Sequence, residues 1–260
     1  MVAMEGLAGK VAIVAGGGSG LGRATSRRLG REGVSVVVGD INLEAAQKVA
    51  ASIRETGGDA SAFKVDISSE SDVAALVDFT VQTYGRIQLL HNVAADLRHC
   101  MSADFDLLGT TLESFDHTIA VDLRGYVLTC RAVLPHMIEA GGGAIVNTSS
   151  LAAIRVLRTG NRYGYAIAKA GLSPLTQHIA VKYGQQNIRC NNVAMGMILS
   201  DTFLETQPPD RLAEIRATAI VPDAGDPDRL APPIVFLLSD EACYLTGQTI
   251  NLDCGSSACL

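Results

Sequence analysis

Short, uninterrupted apolar runs separated by longer amphipathic stretches recur along the chain, and this alternation limits the fold more than any other feature. Residues 11–15, 34–39, 60–65, 87–92, 144–148, 188–194 and 249–253 have the length of strands. They read as continuous rather than alternating in polarity, so both faces of the sheet must be covered. Between them, residues 21–33, 43–56, 70–84, 111–140, 165–184 and 227–239 read as helices, with Gly57-Gly58 and Gly85 as stop signals. Strand–helix–strand repetition predicts an α/β fold: a doubly wound parallel sheet of about seven strands with right-handed crossovers. No linker rich in Pro, Gly or Ser divides the chain, so one domain over 1–260 is expected. The less regular stretch 195–225, with Pro208-Pro209 and Pro222, is expected to be a lid over a substrate.

Composition excludes several classes. With 48% apolar and 18% charged residues the bulk of the chain cannot be disordered. The net charge is −6 and no dense Lys/Arg cluster exists, which argues against nucleic acid as a partner. Apolar runs fall short of a membrane span, and the N-terminus lacks a basic region followed by an apolar one. Six cysteines without CxxC spacing and five histidines without HExxH spacing predict a reduced, cytoplasmic protein and no metal site.

The first predicted strand runs into Gly16-Gly17-Gly18-Ser19-Gly20-Leu21-Gly22 and then a helix. Glycines at such a turn let backbone approach a phosphate, and the helix N-terminus offers unpaired N–H groups and a partial positive charge. Asp40 closes the second strand, where an acid accepts hydrogen bonds from the adenosine ribose of a dinucleotide. A 2′-phosphate beside it would set like charges together. The pair predicts NAD rather than NADP. Asp66 ends the third strand, either contacting adenine or capping the following helix.

Tyr165 and Lys169 are four apart, on one side of a predicted helix. A free phenol has a pKa near 10, and an adjacent ammonium favours its ionised form. Such a Tyr can take the proton of an alcohol as hydride leaves.

With these residues in place, the chain resembles the short-chain dehydrogenase/reductase family, in its compact single-domain branch. The glycine loop, Asp40, Asp66, Asn92, Ser150, Tyr165, Lys169 and the closing Tyr244-Leu245-Thr246-Gly247-Gln248 fall in the family's order. The resemblance implies a Rossmann-type sheet, NAD(P) chemistry on alcohols and ketones, and a homo-oligomer, tetramer or dimer. It implies that Ser150 holds the substrate oxygen (Ser149 is the local alternative), Tyr165 is the general acid–base, and Lys169 lowers its pKa and binds the nicotinamide ribose. Cofactor contacts are implied for Gly16, Ser19, Gly20, Leu21, Gly22, Asp40, Asp66, Ile67, Asn92, Tyr165 and Lys169.

The chain departs from the family at several of these places. The usual Asn-Asn-Ala-Gly reads His91-Asn92-Val93-Ala94, Pro-Gly reads Met195-Gly196, and Asp122 stands where the family has a catalytic Asn. A carboxylate there favours the Lys169 ammonium and changes the proton relay. The interval from Ser150 to Tyr165 is longer than is common in the family. Leu151, Ile154, Val156 and Leu157, with Met195, Met197, Ile198, Leu199, Phe203 and Leu204, predict a substrate with a largely apolar body. Two other readings compete with the dehydrogenase: an NAD-binding regulator without turnover, and a lyase or epimerase on the same fold.

Overall fold

Seven strands, β1 (Val11–Ala15), β2 (Ser35–Asp40), β3 (Ala60–Lys64), β4 (Leu89–Asn92), β5 (Gly143–Ser150), β6 (Ile188–Met195) and β7 (Thr249–Leu252), form one parallel sheet in the order β3-β2-β1-β4-β5-β6-β7. The computed structural model describes residues 4–104, 106–156, 162–200, 203–204, 210, 213–214, 220–221 and 225–258. Nine helices are described: α1 (Gly20–Arg31), α2 (Leu43–Glu55), α3 (Glu70–Tyr84), α4 (Leu97–Ala103), α5 (Leu112–Ile119), α6 (Gly125–Glu139), α7 (Tyr163–Ala170), α8 (Leu172–Tyr183) and α9 (Pro227–Leu238). This is the doubly wound α/β architecture expected from the alternation of runs.

The continuous apolar strands are buried on both faces. Even-numbered residues such as Val14, Val36, Val38 and Val146 join Leu29 of α1, Val49 of α2 and Ile234 of α9 in one core. Odd-numbered Ile13, Val37 and Ile145 join Leu76 of α3, Val133 of α6 and Ile179 of α8 in the other. Each such Val or Ile contributes roughly 1.5–3 kcal/mol on burial. Helix starts follow local chemistry: the Asn42 side chain caps α2 through Ala45 N–H, Ser69 caps α3 through Asp72 N–H, and Thr111 caps α5 through Ser114 N–H. Gly85 stops α3 in the left-handed region at φ 78°.

The structure differs from expectation in three places. The stretch 111–140 is α5 and α6 joined by a π-helical turn, Ala120–Arg124. The single helix expected over 165–184 begins earlier and divides at Gly171, where a Cβ would fall 2.9 Å from Leu123 Cδ1. Finally, α4 was not expected; it starts on Asp96, whose carboxylate accepts His99 N–H. Most of the expected lid, and Leu157, lie outside the described residues.

The order of strands reverses between β1 and β4. In an open α/β sheet, ligands bind in the crevice outside the carboxyl ends of the strands at such a point.

Candidate active site

The glycine loop leaves β1 at this crevice. Gly16 and Gly17 donate their N–H groups to Gly39 O at 2.8 and 2.9 Å, fastening the loop to β2. Gly16 has φ 95°, and a Cβ on it would fall 2.5 Å from Ala94 N in the loop after β4. At Gly22 a Cβ would collide with Gly16 O. Only glycine satisfies both positions, so loop and helix close into a cradle of bare backbone at the N-terminus of α1. Ser19 is the N-cap residue of α1 with no side-chain capping bond. Leu21 is buried in the core beneath.

Asp40 stands beside the cradle. Its Oδ2 accepts Gly18 N–H at 2.8 Å and its Oδ1 accepts Asn42 N–H at 2.9 Å. The carboxylate is thereby aimed, with lone pairs left for a ribose. A hollow of about 320 Å³ adjoins it, lined by Gly18, Arg23, Arg27, Asn42 and Lys48 among others. The residues present fit the adenosine and pyrophosphate portions of a dinucleotide.

At the C-terminal end of β5, Ser150 faces α7. Its Oγ accepts Ala152 N–H at 3.1 Å and lies against the Tyr165 phenol. Ser149 is turned inward, donating to Lys169 O at 2.8 Å, so it is not the pocket serine. The N-terminus of α7 is held by a remote residue: Asp104 Oδ2 accepts Tyr165 N–H at 2.9 Å and Oδ1 accepts Gly164 N–H at 3.3 Å. Lys169, one turn behind Tyr165, is 1% exposed. Its Nζ donates to Tyr126 Oη at 3.0 Å and Thr148 O at 3.1 Å, and lies 3.2 Å from Asp122 Oδ1. The π-helical turn carries Asp122 into the interior, where burial lifts its carboxyl above the usual carboxylate range and the Lys169 ammonium pulls it back. Burial pushes the Tyr165 phenol up to about 12; the Lys169 charge and the Ser150 hydroxyl oppose this, and Asp122 and Tyr126 reinforce it. The expected lowering by lysine is present but outweighed.

Other expected site residues fall elsewhere. The Asn92 side chain is fully buried: Nδ2 donates to Asn147 Oδ1 at 3.0 Å and Oδ1 accepts from Thr129 at 2.8 Å. It ties β4 to β5 and α6. Ile67 packs against Gly125 in the core, so its side chain is also a packing group. The Asp66 carboxylate accepts Ser68 N–H at 2.9 Å and Ser68 Oγ–H at 2.7 Å in the turn before α3; the cap of that helix is Ser69. Asp104 and Tyr126 were missed. Nothing local marks Asp104, but Asp122 and Tyr126 show the same spacing of four as Tyr165 and Lys169. Among the described residues no His/Cys/Asp/Glu group is placed to hold a metal, and no helix is long and apolar enough to cross a membrane.

This is a dinucleotide-type crevice with a Ser–Tyr–Lys arrangement at its mouth, the makings of an oxidoreductase. The chain belongs to the short-chain dehydrogenase/reductase family: residues 15–257 match the family model described as enoyl-(acyl carrier protein) reductase. It is 37% identical over 244 residues to cyclohexanol dehydrogenase of Acinetobacter sp. strain SE19, covering 94% of this chain and 93% of that protein. It is 33% identical over 246 residues to 7alpha-hydroxysteroid dehydrogenase of Bacteroides fragilis, covering 95% and 93%. Among solved structures, a 7alpha-hydroxysteroid dehydrogenase complexed with NADH and 7-oxo glycochenodeoxycholic acid superposes with TM-score 0.88 at 32% identity, covering 96% of this chain and 94% of that one.

Proposed function

We propose that the protein transfers a hydride between NAD(H) and a secondary alcohol or ketone, with Tyr165 as general acid–base. The observation that carries this reading is the meeting of the Ser150 hydroxyl and the Tyr165 phenol beside the glycine cradle, with the Lys169 ammonium one turn behind. The nicotinamide cofactor, when bound, supplies the hydride acceptor or donor. Gly16, Gly20 and Gly22 with the N-terminus of α1 would hold its pyrophosphate, and Asp40 its adenosine ribose. Ser150 would fix the substrate oxygen by a hydrogen bond. In alcohol oxidation, Tyr165 Oη takes the hydroxyl proton; in ketone reduction it returns that proton to the carbonyl oxygen. The positive charge of Lys169 favours the phenolate.

The substrate class we propose is an alicyclic or otherwise largely apolar alcohol. Ile154 and Val156, in the loop after β5, and Met197, after β6, stand 54%, 87% and 46% exposed. Related enzymes act on cyclohexanol and a hydroxysteroid. Of the arginines in the same region, Arg155 donates to Ser256 O at 2.8 Å and Arg162 to Cys100 O at 3.0 Å. Exposed Leu108, Leu112 and Tyr244 support a homo-oligomer, dimer or tetramer.

The test is nicotinamide absorbance with NAD and a panel of cyclic alcohols, hydroxysteroids, hydroxy acids and sugars. Turnover of the apolar members is expected. Turnover of sugars alone overturns the substrate class; absence of turnover with tight NAD binding points to a regulator on the same fold.

A further inference from the structure

Lys169 lies in an unusually complete setting. An ammonium has three N–H bonds, and three protein oxygens surround this one: Tyr126 Oη at 3.0 Å, Thr148 O at 3.1 Å and Asp122 Oδ1 at 3.2 Å. The nitrogen also sits closer to the Tyr126 ring centroid, 4.5 Å, than to that of Tyr165, 5.6 Å. Tyr126 is itself fully buried, and its hydroxyl donates to Ala94 O at 2.9 Å, with Thr148 O at 3.3 Å the second acceptor in reach. Ala94 is the residue against which Gly16 is pressed, and its own N–H bonds Ala15 O at 2.9 Å. One phenolic oxygen thus joins the lysine to the strand ends that carry the glycine cradle.

We infer that Tyr126 is a positioning residue: its hydroxyl completes a ring of three oxygens that holds the Lys169 ammonium turned into the protein and away from the Tyr165 phenol. The inference rests on the roles proposed above for Tyr165 and Lys169. Its consequence is a restraint on the acid–base group. With two N–H bonds given to Tyr126 and Thr148 and the Asp122 carboxylate at ion-pair distance, its oxygens making no hydrogen bond, the ammonium acts on Tyr165 through space. The ionisable and hydroxyl groups facing Tyr165 are Lys169 on its own helix, Asp122 in the π-helical turn, Tyr126 on α6 and Ser150 at the end of β5. Burial and the Asp122 and Tyr126 oxygens disfavour the phenolate; Lys169 and Ser150 favour it. Removing the Tyr126 oxygen frees one ammonium hydrogen, and Tyr165 gains from it.

The experiment is an ultraviolet titration of tyrosinate without substrate or cofactor, taking Tyr165 as the difference between each protein and its Tyr165→Phe partner. In Tyr126→Phe the Tyr165 midpoint falls by about one pH unit, and the pH at which alcohol oxidation reaches half its maximum falls with it. In a Lys169→Met background, Tyr126→Phe leaves the Tyr165 midpoint where Lys169→Met alone puts it. A midpoint that is unmoved or rises in Tyr126→Phe, or that falls equally without the lysine, overturns the inference. A second measurement needs no Tyr126 variant. Nitrogen-15 spectra of lysine-labelled protein, with Lys169 assigned through Lys169→Met, should show an ammonium exchanging slowly with water. Exchange as fast as that of surface lysines overturns the inference too. The functional proposal fails separately, if Tyr165→Phe keeps its turnover, and that result leaves the titration readable.

Discussion

His91 Nε2 lies 2.9 Å from Thr148 Oγ1, across the β4–β5 pair. The carbonyl of the same Thr148 holds the Lys169 ammonium. A fully buried imidazole on the central strand therefore fixes the residue on which the lysine leans. Burial pushes the His91 ring down to about 3, so it is neutral in the folded protein at ordinary pH.

That depression has a sign in stability. The unfolded chain protonates His91 near 6.5, while the folded one resists until about 3. Stability from this group is full above pH 6.5 and is lost as pH falls below it, amounting to about 2 kcal/mol by pH 5. Replacing His91→Asn removes the titration. Urea unfolding at pH 7 and pH 5 should show the wild type losing about 2 kcal/mol more than the variant between the two. Equal losses would mean that the folded protein protonates His91 as readily as the unfolded chain.

Tyr165→Phe deletes one oxygen and leaves the ring in place. Turnover should fall by about 10²–10⁴-fold, the usual contribution of general acid–base catalysis, with NAD affinity unchanged. Steady-state kinetics on one good alcohol and a separate binding titration check it. Near-native turnover would send the proton elsewhere.

Asp40 is expected to enforce NAD over NADP through repulsion of a 2′-phosphate. Arg23, Arg27 and Lys48 line the adjoining hollow together with Glu44, so the Asp40 carboxylate opposes a phosphate there alongside a second acid. Asp40→Ala should narrow the preference by at least about tenfold and weaken NAD as well, because Gly18 and Asn42 lose their acceptor. Comparison of kcat/KM for both cofactors decides. Equal or better use of NADP by the wild type contradicts the assignment.

Asp122→Asn keeps the shape of the side chain and removes its charge. The Asp122 carboxylate disfavours ionisation of Tyr165. The Asn form should therefore fold, keep or raise turnover, and reach its alcohol-oxidation optimum at lower pH. A pH–rate profile of both forms tests it. A loss of about a hundredfold or more, with NAD affinity unchanged, would give Asp122 a catalytic role of its own.

The sheet was legible because its strands are buried on both faces, and runs such as Val36-Val37-Val38 carry that condition openly. Gly16 and Gly22 were legible as places of close approach that only glycine allows, and Asp40 as the acid that closes the second strand beside them. The π-helical turn was not, since one extra residue in a helix leaves the apolar pattern of 111–140 nearly unchanged. Nor was the division at Gly171, which depends on a distant Leu123. Asn92 and Ile67 were placed at the cofactor by the family resemblance; their side chains point into the packed layers, which depends on tertiary partners such as Asn147, Thr129 and Gly125. Asp104 acts across 61 positions of sequence, beyond any local signal.

The grip of Asp104 on the first amides of α7 separates two things that usually change together. The first turn of α7 is anchored by Asp104, far away in the chain, while Ser150 is carried by the end of β5. The start of α7, and with it the place of Tyr165, is set by a carboxylate outside the segment that joins Ser150 to α7. A change in the length of that segment is therefore expected to shift substrate preference more than the place of Tyr165.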